Sequence, residues 1–185
     1  MPRPRTVSDQ ALLEAAGRVL HRAGPAGLTF AAVGAEAGLA PATLVQRYGS
    51  KDGLMRAALL HAWDQLDART AAADAEAAES PAGAVELLLG LSDQEEAEPF
   101  EEGLLLLRED FRDPALRARG VRWGEALARA LGRRLSAEPE RAAMLGRLMA
   151  SQWQGALIWW GFSRRGTLAA HLRGELEAWC RAMQV

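Results

Sequence analysis

Apolar positions recur along this chain at helical intervals, and no stretch shows the alternate-residue spacing of a strand. The pattern is sharpest over residues 28–54, where Phe30, Val33 and Ala37 make one apolar face and Leu39, Leu44 and Tyr48 make another after a break at Gly38. Two short helices joined by a tight turn, with one glycine able to take a positive φ, are the sequence form of a helix-turn-helix. Thr29 caps the first of the pair, Pro41 opens the second, and Gly49-Ser50 ends it and caps a third helix from Lys51. Upstream, a helix from Ser8 to about Ala23 turns Leu12, Ala16, Val19 and Leu20 inward, and Gly24-Pro25-Ala26-Gly27 stops it. Downstream, helices are predicted at about 51–78, 85–91 after a break at Glu79 to Gly83, 100–110, 114–135, 138–162 and 167–183. The acidic run at 92–102, which holds Pro99, is predicted to be a loop. The fold class is therefore all-α, about nine helices, with a helix-turn-helix domain at 1–50 and a helical domain at 51–185.

In a helix-turn-helix the second helix enters the major groove with its N-terminal residues toward the base edges. Its outward side here is Pro41, Ala42, Thr43, Val45, Gln46 and Arg47. Gln46 is suited to adenine, Arg47 to guanine or a phosphate, and the methyls of Ala42, Thr43 or Val45 to a thymine methyl. Lys51, at the next helix start, is placed for a phosphate. On spacing alone, a helical pair that simply packs fits equally well.

The order Thr29, Val33, Ala37-Gly38, Leu39, Thr43-Leu44, Tyr48, Ser50-Lys51 resembles the DNA-binding segment of TetR-family transcriptional regulators, without a gap. The resemblance implies a sequence-specific regulator, most simply a repressor, with Thr29, Pro41, Ala42, Thr43, Val45, Gln46, Arg47, Tyr48 and Lys51 as its DNA-binding residues. The chain departs from the family pattern at three positions: Val45 where a tyrosine usually touches a phosphate, Ala40 where Ser or Thr usually caps, and Gly34 where alanine is commoner.

The resemblance also assigns roles to the second half. The last two helices, joined by a short link, are expected to pair with a second copy through Gly146, Ala150, Gly155, Leu168, Leu172, Leu176 and Trp179, so that a homodimer reads a palindromic operator. Gly155-Ala-Leu, Trp160, Gly166-Thr-Leu and Leu172-Arg173 resemble family carboxyl termini more loosely. Trp63, Phe100, Leu104, Arg108, Trp123, Met149, Trp153 and Leu157 are the candidate lining of a pocket for a hydrophobic or aromatic effector; plain core packing is the other reading of these residues. A different class of function fits the same pattern: an all-helical small-molecule carrier or interaction module with a vestigial DNA-binding end.

Charge sharpens the first reading. Residues 1–60 carry seven basic and four acidic side chains, net +3, against −5 in the remainder and −2 overall. The basic end is thus the end with the helix-turn-helix, as attraction to a duplex requires. Lys51 is the only lysine in the chain. Arg3 and Arg5 read either as a basic arm over the DNA backbone or as a loose tail. Cys180 is the only cysteine, so no disulfide forms within one chain, and it is expected to act as a small buried hydrophobe. The chain has no apolar run of about 18 residues and no signal-peptide pattern, and a cytoplasmic protein that does not enter a membrane is expected. His171 and Glu175 stand four residues apart but lack further ligands at suitable spacing, so no metal is expected. Without a glycine-rich phosphate loop or a nucleophile elbow, neither a cofactor nor an enzymatic activity is expected.

Overall fold

Helix starts follow from local chemistry in the computed structural model, which describes residues 7–92 and 100–185, with the side chains of residues 100–104 excepted. Among the described residues there are α1 (Asp9–Gly27), α2 (Phe30–Ala37), α3 (Pro41–Tyr48), α4 (Lys51–Glu76), α5 (Pro81–Ser92), α6 (Phe100–Arg112), α7 (Pro114–Leu135), α8 (Pro139–Ser163) and α9 (Leu168–Met183), and no strand. Ser8 accepts from the Ala11 amide, Thr29 from Ala32, Ser50 from Gly53 and Thr167 from Ala170, each answering an amide that the first helical turn leaves without a carbonyl. Asp113 does the same for α7 through the amides of Ala115 and Leu116. Its carboxyl also takes the Arg56 guanidinium at 2.5 Å, and Arg56, with those two amides, holds its pKa down to about 2.

The first helix breaks where the sequence places the break, at Gly24 with φ 62°, but the chain then takes one more turn through Pro25 and ends at Gly27. Residues 93–99 of the acidic run, Arg3 and Arg5, and the side chains of Phe100 and Leu104 lie outside the described residues, while the ends of that run are helical rather than loop, Ser92 closing α5 and residues 100–102 opening α6. No described helix is long and apolar enough to cross a membrane.

The chain divides into two compact units, Met1–Gln65 with Glu96–Gly120, and Leu66–Glu95 with Val121–Val185, so the divisions fall inside α4 and α7. In the first unit Leu12, Ala16, Val19 and Leu20 of α1, Val33 of α2, Leu44 of α3 and Leu54 and Ala58 of α4 form one buried cluster, and α6 packs against α1. In the second unit α9 packs on α5 and α8. Here α7 and α8 approach until a Cβ on Gly146 would stand 2.0 Å from the Ala128 carbonyl oxygen and one on Gly132 would stand 2.3 Å from that of Ala142. Cys180 is buried on α9, and burial pushes its thiol pKa up.

Candidate nucleic-acid interface

The turn between α2 and α3 is built on two glycines with different tasks. Gly38 adopts the left-handed conformation (φ 68°, ψ 34°) and closes α2 with its amide on the Gly34 carbonyl. Gly34 serves by lacking a side chain: a Cβ there would meet the Leu39 carbonyl oxygen at 2.6 Å. That backbone contact explains the departure from alanine at this position. Gly34→Ala is expected to lower unfolding free energy by about 1–3 kcal/mol, because overpacking outweighs the roughly 1 kcal/mol that alanine gains in a helix. Urea unfolding checks it, and unchanged stability would mean that the turn yields.

Leu44 fixes the orientation of α3, since it is fully buried while Pro41, Ala42, Val45, Gln46 and Arg47 are exposed. Thr43 is half-buried. Tyr48 is half-buried against the apolar cluster, and its phenol pKa is raised first by burial and then by the Asp9 carboxylate. It is therefore a support of α3 more than part of its outer edge. Ala40, at the N-cap, offers no side-chain bond, as the sequence implied. Thr29 is exposed and caps α2. Arg18 and Arg22 of α1 both bond Glu36, lowering its pKa and tying α2 to α1.

Two cations have protein partners that sequence spacing did not disclose. Arg47 Nη1 donates to Asp9 Oδ1 at 2.9 Å and to the Val7 carbonyl at 3.3 Å. Lys51 Nζ donates to the Ala26 carbonyl at 3.2 Å, joining the start of α4 to the last turn of α1. Asp9, Val7 and Ala26 lie 38, 40 and 25 residues from the groups they hold, beyond any local pattern.

The candidate pocket residues separate. Trp123, Met149 and Trp153 are buried in the second unit and Leu157 is half-buried there. The two indoles stack obliquely with centroids 6.3 Å apart; Trp123 Nε1 donates to Thr70 at 2.9 Å and Trp153 Nε1 to Ser92 at 2.8 Å. In the first unit Trp63 donates to Asp110, whose carboxyl burial pushes up. Arg108 is corrected as a pocket-lining residue: its side chain is 69% exposed, because Leu106 rather than Arg108 takes the inward position on α6.

The expected dimer residues also separate. Leu172 and Leu176 are fully buried within the chain, and Gly146 is covered by Ala128 and Gly132 of α7. Those three are corrected to the subunit's own core, since α9 spends its apolar stripe on α5 and α8. Ala150, Gly155, Leu168 and Trp179 are half-buried, and the space beside Gly155 is open. The outward apolar residues of α8 are instead Met144 (46% exposed), Leu148 (43%), Ile158 (45%), Trp159 (68%) and Phe162 (78%). Their spacing of four, ten or eleven, and four or three was legible in the sequence as a helical stripe.

Residues 12–58, from α1 into α4, match the family model described as bacterial regulatory proteins, tetR family. No curated protein matches the chain. Among solved structures, a TetR transcription regulator from Haloarcula marismortui aligns at 20% identity and TM-score 0.75 over 95% of this chain and 98% of that one. A transcriptional regulator from Rhodococcus sp. RHA1 aligns at 18% identity and TM-score 0.74, over 95% and 97%. The multidrug binding protein EbrR in complex with malachite green aligns at 25% identity and TM-score 0.64, over 96% and 98%. Through its amino-terminal helices the chain matches the tetR family of bacterial regulatory proteins, and over 95% of its length it has the fold of the TetR-like regulators with which it aligns.

Proposed function

We propose that the chain is a homodimeric, ligand-responsive, sequence-specific DNA-binding regulator, a repressor released by a hydrophobic or aromatic small molecule. The observation that carries this reading is the outer edge of α3, where Pro41, Ala42, Val45, Gln46 and Arg47 stand exposed while Leu44 is buried beneath them. Gln46 reads a base, and Lys51 and Arg47 hold the backbone. The effector class is supported by the complex of the similar EbrR with malachite green and by the Trp123 and Trp153 pair of the second unit. Binding of the effector acts only through unequal affinity for DNA-competent and DNA-incompetent states.

Dimerisation rests on the α8 stripe. Exposed Leu148, Ile158, Trp159 and Phe162 along one helix form an apolar surface of the kind that marks an interface rather than scattered exposure. Two copies joined there present two copies of α3, which successive major grooves about 34–36 Å apart accept together.

The test is a gel shift with the DNA flanking the protein's own coding region. Gln46→Ala is expected to relax base preference at one position, whereas Lys51→Ala weakens all sequences about equally and flattens the salt dependence by about one unit of slope. Salt-insensitive binding, or none to any duplex, would leave the carrier or interaction-module reading in its place.

A further inference from the structure

We propose that Asp9, with the Val7 carbonyl, is a positioning residue for DNA binding: the two hold Arg47 by Nη1 and leave its Nε and Nη2 edge, unbonded among the described residues, to take a backbone phosphate. The inference rests on the DNA-binding reading above and adds a residue of α1 to it. Both contacts to Arg47 use the same nitrogen, at 2.9 Å and 3.3 Å. Among the described residues nothing bonds the Nε and Nη2 edge, the fork that matches two oxygens of a phosphate.

The direction in which Arg47 is held selects phosphate over base. It shares the last turn of α3 with Gln46, but its guanidinium is bonded to Asp9 and the Val7 carbonyl at the start of α1. Its guanidinium is drawn back toward the start of α1, over the groove lined by Val7, Ser8, Asp9 and Tyr48. Burial agrees: the Arg47 side chain is 31% exposed and that of Asp9 77%, so the carboxylate sits at the rim and steadies a partly enclosed arginine. A long arginine otherwise loses rotamer freedom when it binds, and the Asp9 contact removes much of that loss beforehand.

A carboxylate beside a phosphate site has an opposite electrostatic effect, and the variants separate the two. Asp9→Asn and Asp9→Ala both delete the charge, but asparagine keeps an acceptor for Nη1. In gel shifts of the full chain on the flanking DNA and on its single-base variants, Asp9→Ala is expected to bind about threefold to tenfold more weakly than Asp9→Asn, equally on every sequence. In an Arg47→Ala background that difference disappears, which a role of Asp9 confined to the stability of α1 would not produce. Asp9→Ala binding as tightly as Asp9→Asn, or a difference that persists without Arg47, overturns the proposal. A change of base preference at one position in Arg47→Ala overturns the phosphate assignment. Wild-type chain that binds no duplex overturns the DNA-binding reading and the positioning role with it, a result distinct from a wild type that binds while the two Asp9 variants behave alike.

Discussion

Arg134→Ala is expected to lower the unfolding free energy by about 3–5 kcal/mol, the loss typical of breaking a buried charge pair from one side. The Arg134 side chain is fully buried in the last turn of α7. Nη1 donates to Asp74 Oδ1 at 2.6 Å and to the Ala130 carbonyl at 2.8 Å. Nη2 donates to the carbonyls of Asp74 at 2.7 Å and Ala77 at 2.9 Å, and Nε to that of Ala78 at 3.0 Å. All five donors of the guanidinium are thereby matched, and three of the acceptors are carbonyls at and just beyond the carboxyl end of α4, a helix end that cannot satisfy its own last carbonyls. Alanine strands the carbonyls of Asp74 and Ala77, while that of Ala78 keeps the Ser80 amide, and it leaves the Asp74 carboxylate to Arg133, which bonds the same oxygen at 2.5 Å. Lysine, with one ammonium and no fork, is expected to recover less than half of the loss. Urea unfolding measures both; a cost under about 1 kcal/mol for Arg134→Ala would show that water enters and replaces the guanidinium.

Trp159→Glu is expected to leave the chain monomeric in analytical ultracentrifugation and to weaken operator binding by about a hundredfold or more, because the second recognition helix no longer binds within the same molecule. Trp159 is 68% exposed and its ring lies 5.7 Å from that of Phe162, so the substitution removes an aromatic pair on the surface while sparing the core. Large aromatics of this kind carry most of the energy of interfaces in which they are central, and a buried carboxylate without a partner adds a penalty. Thermal unfolding of the variant monomer should retain helical content. A dimer that survives the change, or a monomer that binds the operator as well as the wild type, would place the interface elsewhere or remove the need for it.

The helices themselves were legible because their signals are local. Gly38, Pro41 and Pro114 act through their own backbone, and the structure uses each where the sequence put it. What spacing cannot say is which neighbour covers an apolar face. Leu172 and Leu176 form a clear stripe, yet the stripe is spent on α5 and α8, while the stripe left open runs through Leu148 and Trp159. The same limit explains Arg108, whose neighbour Leu106 takes the inward position. For the edge proposed to face DNA, Leu44 in and Gln46 out follow from period alone, but the Asp9 contact to Arg47 joins residues 38 apart and exists only once α1 and α3 are packed.

Under the proposed function, the near contact of α7 and α8 at Gly132 and Gly146 limits how the second unit can respond to an effector. With main chain lying against main chain, there is no cushion of side chains to re-pack, so these two helices cannot slide or twist past one another without collision. They travel as one plank, and any rearrangement that a bound molecule drives must be absorbed at less tightly seated joints.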